Sequence, residues 1–595
     1  MIVFGRDVCG HLETSSRLEW LETNGIGGYA SGTVAGLNTR SYHANLVAAT
    51  DIPLARVVML AQLEEILVYQ GKKYSLSTNQ YPDAVLPRGY LYLEEFRLDP
   101  FPTFVFRAGD GWLTKRIFMT HGHNLTWVLY RFDGQGSDAA ELLLRPLTNF
   151  RSLHLKRRER RFINTHHDIT ERVVRLLPDG PLPSLNVYHN AEAFEHSGMW
   201  YQHLFYVREE ERGLHSREEL FSPGTLRYAL RPDATAFLCA TTETLANPEP
   251  ETAAEAETAR RESLVSQAGT RSDFERQLVL ASDAFIVRRG EGLSVMAGYP
   301  WLGDIGRDAM IALPGLALAT GRFAEARSIL ATFAGYASEG LVPNCFDEEL
   351  SRPAFNAADG SLWFIAAVDR YLRATGDKHF VRKQLWSWLN ETLDHYIKGT
   401  RYHIRMDDDG LINLPEEGAQ LTWMDAQVGD WVVTPRSGKP VEVNALWYNA
   451  LCVLRELAAE FGADAERERY ANLAEKARES FLVQFWDDAR GVCFDRIEDH
   501  FQDPTLRPNQ LLAASLPYPL LSAEQSRRML KAVQRELITT FGLRSLEPGD
   551  AHYHGSYQGD LLSREGAAHQ GTVWPWWVGP YADALVRAQG RNHRH

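Results

Sequence analysis

Near residue 246 the hydrophobic pattern of this chain changes period, and that change fixes what it can fold into. Before it, short runs of alternating and β-branched residues (SYHANLVAAT, RVVMLAQLEEILVY, PTFVFRAGDGWLTKRIFMTHG, NLTWVLYRFDG, ELLLRPLTNF) recur between Gly, Asp, Asn and Pro. That is the rhythm of packed antiparallel sheets, with turn signals roughly every 10 residues. After it, apolar residues return at helical spacing, as in Leu446, Ala450, Leu451, Leu454 and Leu457. The segment between, NPEPETAAEAETARRES, is Pro-led and rich in Ala and Glu, a polar helical connector. The pattern predicts an antiparallel β-sandwich over residues 1–245, a helical linker over 246–270 and a helical domain over 271–595.

Candidate helices in the second half cover about 272–289, 304–320, 323–338, 360–375, 378–399, 443–461, 464–484, 507–515, 522–539 and 572–588. Helices joined by short loops pack as antiparallel hairpins, and six hairpins closed in a ring make an (α/α)6 barrel. These segments are two short of such a ring. Either two helices escape the periodicity or the chain stops one hairpin early.

Composition excludes several functions. A net charge of −14 spread along the chain argues against a nucleic-acid or anionic-membrane surface. No stretch approaches the roughly 18 apolar residues of a membrane span, and the N-terminus lacks the pattern of a signal peptide. Five scattered cysteines with no CxxC pair fit a reducing, cytoplasmic setting and argue against a zinc site. His552, His554 and His569 share a loop without metal-ligand spacing, so no metal is expected. Glycines at 25, 27, 28, 32 and 36 fall in no GxxxxGK[ST] pattern and read as tight turns and close backbone approach. The 15 Trp and 23 Tyr admit either a large aromatic core or rings that pack on the C–H faces of sugars.

The chemistry concentrates in loops. AGYPWLGDIGRDAMIALPG runs from an aromatic, Gly- and Pro-containing loop into a helix, with Asp304 at the expected N-cap and Arg307 and Asp308 in the first turn. A guanidinium beside a carboxylate can grip adjacent sugar hydroxyls, donor and acceptor together; the plainer alternative is a capping Asp and a solvated Arg. Long polar segments follow at 339–359, 401–442 and 544–571, expected to be non-helical and to gather at one mouth of a barrel. Glycoside hydrolysis needs two carboxyl groups, one donating a proton and one activating water or attacking carbon. Asp425, between Trp423, Met424 and Ala426, has the partly apolar setting that suits a proton donor, and Asp430 beside Trp431 competes. Asn344, Asn356 and Asp359 are further candidate hydroxyl ligands, although Asp359 also suits a helix cap. Glu442 opens a helix and either sits in its first turn or points into the mouth.

Taken in order, EWLETNGIGGYASGTVAGLNTRSYHANLVAA, AGYPWLGDIGRDAMIALPGL, NAADGSLWF, LTWMDAQ, PRSGKPVEVNALWYNAL and HQGTVWPWWVGPY resemble successive blocks of the bacterial and archaeal glycogen debranching enzymes of the amylo-α-1,6-glucosidase type. The resemblance covers nearly the whole chain. It implies an N-terminal β-sandwich, an (α/α)6 barrel, no cofactor, and hydrolysis of α-1,6-linked glucosyl stubs on glycogen or a limit dextrin with inversion. It further implies that Asp425 is the general acid, that Arg307 and Asp308 hold the terminal glucose, and that Trp301, Trp423 and Glu442 line the pocket. In that family several tens of residues follow the HQGTVWPW block and carry the general base. Here VRAQGRNHRH follows soon after Tyr581, so the barrel is expected to lack its last helices, with Glu565 in SREGAAHQG as the candidate replacement base. Two alternatives remain open on sequence: a glucoamylase- or trehalase-like glucosidase, and a catalytically weak glucan-binding protein.

Overall fold

The computed structural model describes every residue except 1, 135–139, 155–164, 179, 233, 349–350, 416–419 and 590–595. It divides into two compact units: Met1–Asp304 with Ala319–Arg322 and Asp347–Ser351, and Ile305–Leu318 with Phe323–Phe346 and Arg352–His595.

The first unit is built on two antiparallel sheets, nine- and eight-stranded among the described residues. The runs read as strands are strands: Ala44–Asp51, Leu54–Tyr69 and Ala140–Ser152 lie in one sheet, and Pro102–Ala108, Gly111–Met119 and Leu125–Asp133 in the other. Alternation sends Trp20, Leu46, Met59, Leu144 and Leu226 from one sheet and Phe104, Leu113, Val128 and Leu238 from the other into a single core. Each such side chain contributes about 1.5–3 kcal/mol by burial, which is why the pleat's alternation and not turn chemistry fixes the register. The glycine-rich stretch is the turn between strands Glu19–Thr23 and Tyr29–Thr33, where Gly27 has φ +92° and a Cβ would meet the Pro53 carbonyl oxygen at 2.0 Å. That close approach accounts for the glycine.

The connector is a helix, Pro250–Ala268, with proline in its first turn and Gly269 in the left-handed region at its end. It does not behave as a free linker. Arg261 pairs with Glu22 at 2.6 Å and donates to the Pro100 carbonyl, while buried Glu257 takes both Arg260 and Arg261. Helix Asp273–Asp283 and the hairpin Ile286–Arg289/Gly292–Gly298 also fall in the first unit, so the compact units divide at Asp304 and not at residue 271.

The second unit is helical. Gly360–Thr375 and Val441–Phe461 are buried almost all round, whereas Asp464–Phe485 exposes a charged face. The last two helices form a hairpin through Gly462 (φ +71°), and Gly360–Thr375 packs on both Val441–Phe461 and Gly306–Leu313. An inner helix with no polar face and an outer helix with one is what a ring of hairpins produces.

Local expectations change as well, beginning with the candidate helix 272–289, which ends at Asp283 and gives way to strand Ile286–Arg289. Asp304 is not an N-cap: it ends a short strand, fully buried, and takes Arg289 at 2.5 and 2.8 Å and Ser294 at 2.8 Å, so the helix begins at Gly306 with Ile305 before it. The segment 544–571 is not wholly loop: Leu561–Ala568 is a helix capped by Asp560, whose carboxylate accepts from the Ser563 N–H at 2.9 Å. The final helix starts only at Val578, because Val573–Trp574 pairs with Gly542–Arg544 and Pro575–Trp577 forms a 3-10 turn. The VRAQGRNHRH tail begins inside this helix, which runs to Gln589, and its residues 590–595 lie outside the described residues.

Candidate active site

Within the helical unit, the first turn of helix Gly306–Leu313 is driven hard against the chain before it. The Gly306 N–H donates to the Asn344 carbonyl at 2.7 Å, and a Cβ on Gly306 would meet the Pro343 oxygen at 2.0 Å. Only glycine permits that approach, and it sets where Arg307 and Asp308 emerge.

Arg307 is 5% exposed. Its Nε donates to Asp359 Oδ1 at 2.8 Å and its Nη1 stands 3.5 Å from Asp425 Oδ2, so one guanidinium joins two carboxylates drawn from different segments. Burial opposes the charge, but Asp359 and Asp425 outweigh it and hold the group protonated above its ordinary value. Asp359 occupies the N-cap position of helix Gly360–Thr375 yet makes no capping hydrogen bond; its carboxylate serves Arg307. Arg307 Nη2 and Asn344 Oδ1 are buried without a partner among the described residues. A buried donor and a buried acceptor each left unmet cost about 1–3 kcal/mol, a cost that a bound hydroxyl removes.

Two carboxyl groups here have raised pKa values. Burial pushes Asp308 up to about 6, with Arg307 opposing and Asp425 and Asp359 adding. Asp425 is also raised, by burial first and by Asp359, against Arg307. Because Arg307 is already engaged by Asp359, it only partly neutralises Asp425. The Asp425 side chain still keeps 45% of its surface open, so its carboxyl has one face against protein and one toward solvent. Its competitor Asp430 is exposed beside Trp431, itself 48% exposed, and lacks that setting.

The apolar wall is aromatic. The Trp423 ring meets His569, Trp574, Trp576 and Trp577 with centroids 5.2–5.5 Å apart, all edge to face. His569 stacks on Trp574, and burial with Arg507, Arg307 and Arg436 nearby pushes it down to about 3, so it is neutral. Behind the wall lies a polar chain: Trp423 to Asn509, Asn509 to Asp495, Asp495 to Arg436, and Arg436 to Glu442. Glu442 is 1% exposed, and burial pushes it up to about 7 against Arg436, with Asp495 adding. It is the inner end of this chain.

Arg307, Asp308, Asp359 and Asp425 are thus brought together, and Trp423 is boxed. Glu565 lies on helix Leu561–Ala568, half-buried, accepting from the Tyr557 hydroxyl at 3.3 Å. That helix packs on the strand Gln427–Val428 just after Asp425, and Gly566 sits against the Trp431 ring. Trp301 belongs to the first unit, its ring packed near Tyr42 and over Arg40 and Arg212. Asn509, Asp495, Arg436 and Arg507 were not singled out by sequence; the one signal was the PRSG stretch just before Glu442. Among the described residues no cluster suited to a metal ion occurs, and no helix is long and apolar enough to cross a membrane.

A family model described as Amylo-alpha-1,6-glucosidase matches residues 280–595, and one described as Glycogen debranching enzyme N terminal matches residues 18–237. The chain is 24% identical over 403 residues to the glycogen debranching enzyme of Saccharomyces cerevisiae, covering 52% of this chain and 26% of that protein. It is 25% identical over 209 residues to the solabiose phosphorylase of Paenibacillus borealis, covering 33% of this chain and 26% of that protein. The chain therefore spans about a quarter (26%) of the length of each of these relatives. A bacterial glucoamylase solved in complex with acarbose matches with a TM-score of 0.54 at 11% identity, over 96% of this chain and 88% of the other. An N-terminal antiparallel β domain followed by an (α/α)6 helical domain is the fold.

Proposed function

The chain belongs to the amylo-alpha-1,6-glucosidase family, and from that premise we propose that it hydrolyses α-1,6-linked glucosyl stubs on glycogen or a limit dextrin, by an inverting acid/base mechanism. The observation that carries this reading is the Arg307–Asp359–Asp425 cluster beside half-buried Asp308. Arg307 and Asp308 bind adjacent hydroxyls of the terminal glucose, donor and acceptor side by side. Asp425, whose pKa is raised by burial first, with Arg307 opposing and Asp359 adding, gives its proton to the glycosidic oxygen as the bond to C1 breaks. A water attacks C1 from the opposite face and its proton passes to Glu565, leaving β-glucose and the unbranched glucan. The boxed Trp423 ring backs the segment that carries Asp425. The five cysteines are free, which supports a reducing compartment such as the cytoplasm, where glycogen is stored.

The experiment is direct. The protein is incubated with a phosphorylase limit dextrin, maltose, trehalose and an α-1,6-linked glucosyl oligosaccharide, and released glucose is measured with its anomeric form. Glucose from the α-1,6 substrates, initially β, is the expected result. Release from maltose or trehalose alone, or none from any substrate, overturns the reading.

A further inference from the structure

Trp423 stands two residues before Asp425, so whatever fixes its ring also fixes the segment that carries the proposed acid. Its Nε1 donates to Asn509 Oδ1 at 2.9 Å. Asn509 Nδ2 donates to Asp495 Oδ1 at 2.9 Å and reaches the Met424 sulfur at 3.5 Å. An indole N–H only donates and an ionised carboxylate only accepts, so the amide has a single orientation that serves both partners. Asn509 is 0% exposed and Asp495 3%.

Asp495 is itself held from the far side. Its Oδ2 pairs with Arg436, which also pairs with Glu442, and Arg507 Nε stands 3.6 Å away. Arg507 then donates to the carbonyls of His569 and Ser545 at 2.6 and 3.0 Å and to Gln570 Oε1 at 2.9 Å. The network thus grips both sides of the aromatic box: the Trp423–Asp425 segment through Asn509, and the His569–Trp574 segment through Arg507. Packing alone does not call for it. Three tryptophans and a histidine already enclose the indole, and buried ionic networks are weak sources of stability compared with apolar residues of the same volume. What such a network adds is direction.

We propose that Asn509 is a positioning residue for the glycosidase reaction: its paired hydrogen bonds to Trp423 and Asp495 set the orientation of the 423–425 segment, and with it the line along which Asp425 delivers its proton. This rests on Asp425 being the acid. An error of about 1 Å at such a distance from the chemistry costs about 10²-fold in rate.

Substituting Asn509→Asp tests it. The new carboxyl still accepts from the indole but faces Asp495 with a second negative charge; the other groups around this position are Arg436, Arg507, Glu442 and neutral His569. Two touching carboxylates do not both stay ionised at low pH. With one proton between them the original donor–acceptor pattern returns. The expected result is a kcat on limit dextrin about 10²-fold down at pH 8 that recovers to within a few-fold of wild type at pH 5, with KM changed little. Asn509→Leu, lacking both bonds, is expected to be low at both pH values. A purely structural role predicts instead a lowered unfolding temperature with kcat per folded molecule unchanged. Wild-type kcat in folded Asn509→Leu, or a loss in Asn509→Asp identical at pH 5 and pH 8, overturns the proposal.

A second readout needs neither variant to be active. In 15N-tryptophan-labelled wild-type protein, the Trp423 indole resonance, assigned by its loss in Trp423→Phe, is expected to be protected from solvent exchange; rapid exchange overturns the relay. In Asn509→Asp the same resonance is expected to move between pH 5 and pH 8, and a fixed resonance counts against the relay. If wild type releases no glucose, the functional reading has failed, and the indole resonance still decides the relay by itself.

Discussion

Arg307 Nε donates to Asp359 Oδ1 at 2.8 Å across 52 residues of chain, so a carboxylate placed to cap a helix orients a guanidinium instead. Replacing Asp359 by Asn keeps its volume but removes the charge that holds Arg307 and raises Asp425. We expect kcat/KM on limit dextrin to fall about 10- to 10²-fold, in the range that misplacement of a binding group produces. Helix Gly360–Thr375 should remain folded, because Asp359 makes no capping bond to lose; circular dichroism checks this.

Asp425→Asn removes the proposed proton donor while preserving shape. The expected loss in kcat is about 10²–10⁴-fold, with KM within a few-fold. The sign of the pH dependence follows from the role. The group works when protonated, so wild-type kcat falls as pH rises through its raised pKa, and that basic limb disappears in Asp425→Asn.

The role proposed for Asp308 needs the opposite protonation state. Its carboxyl, pushed up to about 6 by burial, accepts hydroxyl hydrogen bonds best when ionised. Affinity for a non-hydrolysed glucose-terminated ligand is therefore expected to weaken as pH drops below about 6. In Asp308→Asn binding is weaker and this dependence is lost; isothermal titration at pH 5 and pH 7.5 measures both.

Glu565, the proposed base, is tested by its removal. Glu565→Ala is expected to lose about 10²–10⁴-fold in turnover, and added azide, which needs no base, is expected to restore consumption of an activated α-glucoside and yield β-glucosyl azide. Turnover unaffected by the substitution would assign the base elsewhere.

Glu442 makes a stability prediction. Burial raises its carboxyl from 4.5 to about 7 although Arg436 touches it, because Arg436 also serves Asp495: one cation is shared by two buried anions. The folded chain holds this proton more tightly than the unfolded chain, so stability from this group is greatest below 4.5 and declines as pH rises toward about 7. Glu442→Gln is expected to remove that decline, so its stability relative to wild type improves from pH 5 to pH 8 in urea unfolding.

Much of this was legible in the sequence, for definite reasons. Alternation in RVVMLAQLEEILVY and helical spacing from Leu446 to Leu457 are period signals repeated over whole elements, and both elements are present. Arg307, Asp308 and Asp425 stood out because charged residues beside tryptophan and glycine are unusual, and they do meet. Asp304 misled because a capping residue and an ion-pair residue are the same residue type, and only the distant Arg289 decides between them. Helix Leu561–Ala568 was missed since eight residues barely exceed two turns and carry two exposed leucines at the start. The Asn509–Asp495–Arg436 chain left only the PRSG stretch as a signal, because its members are 14 and 59 residues apart and no local pattern marks a partner at that distance.

That chain has a kinetic consequence. Residues 307, 359, 425, 436, 495, 509 and 569 meet only after loops of tens to hundreds of residues have closed, and closure of non-local contacts is the slow part of folding. No fragment or early intermediate holds more than a piece of the constellation, so the activity proposed for it is expected to emerge as the final event of refolding. The same wiring makes that activity the earliest casualty of partial unfolding, ahead of any bulk loss of helix.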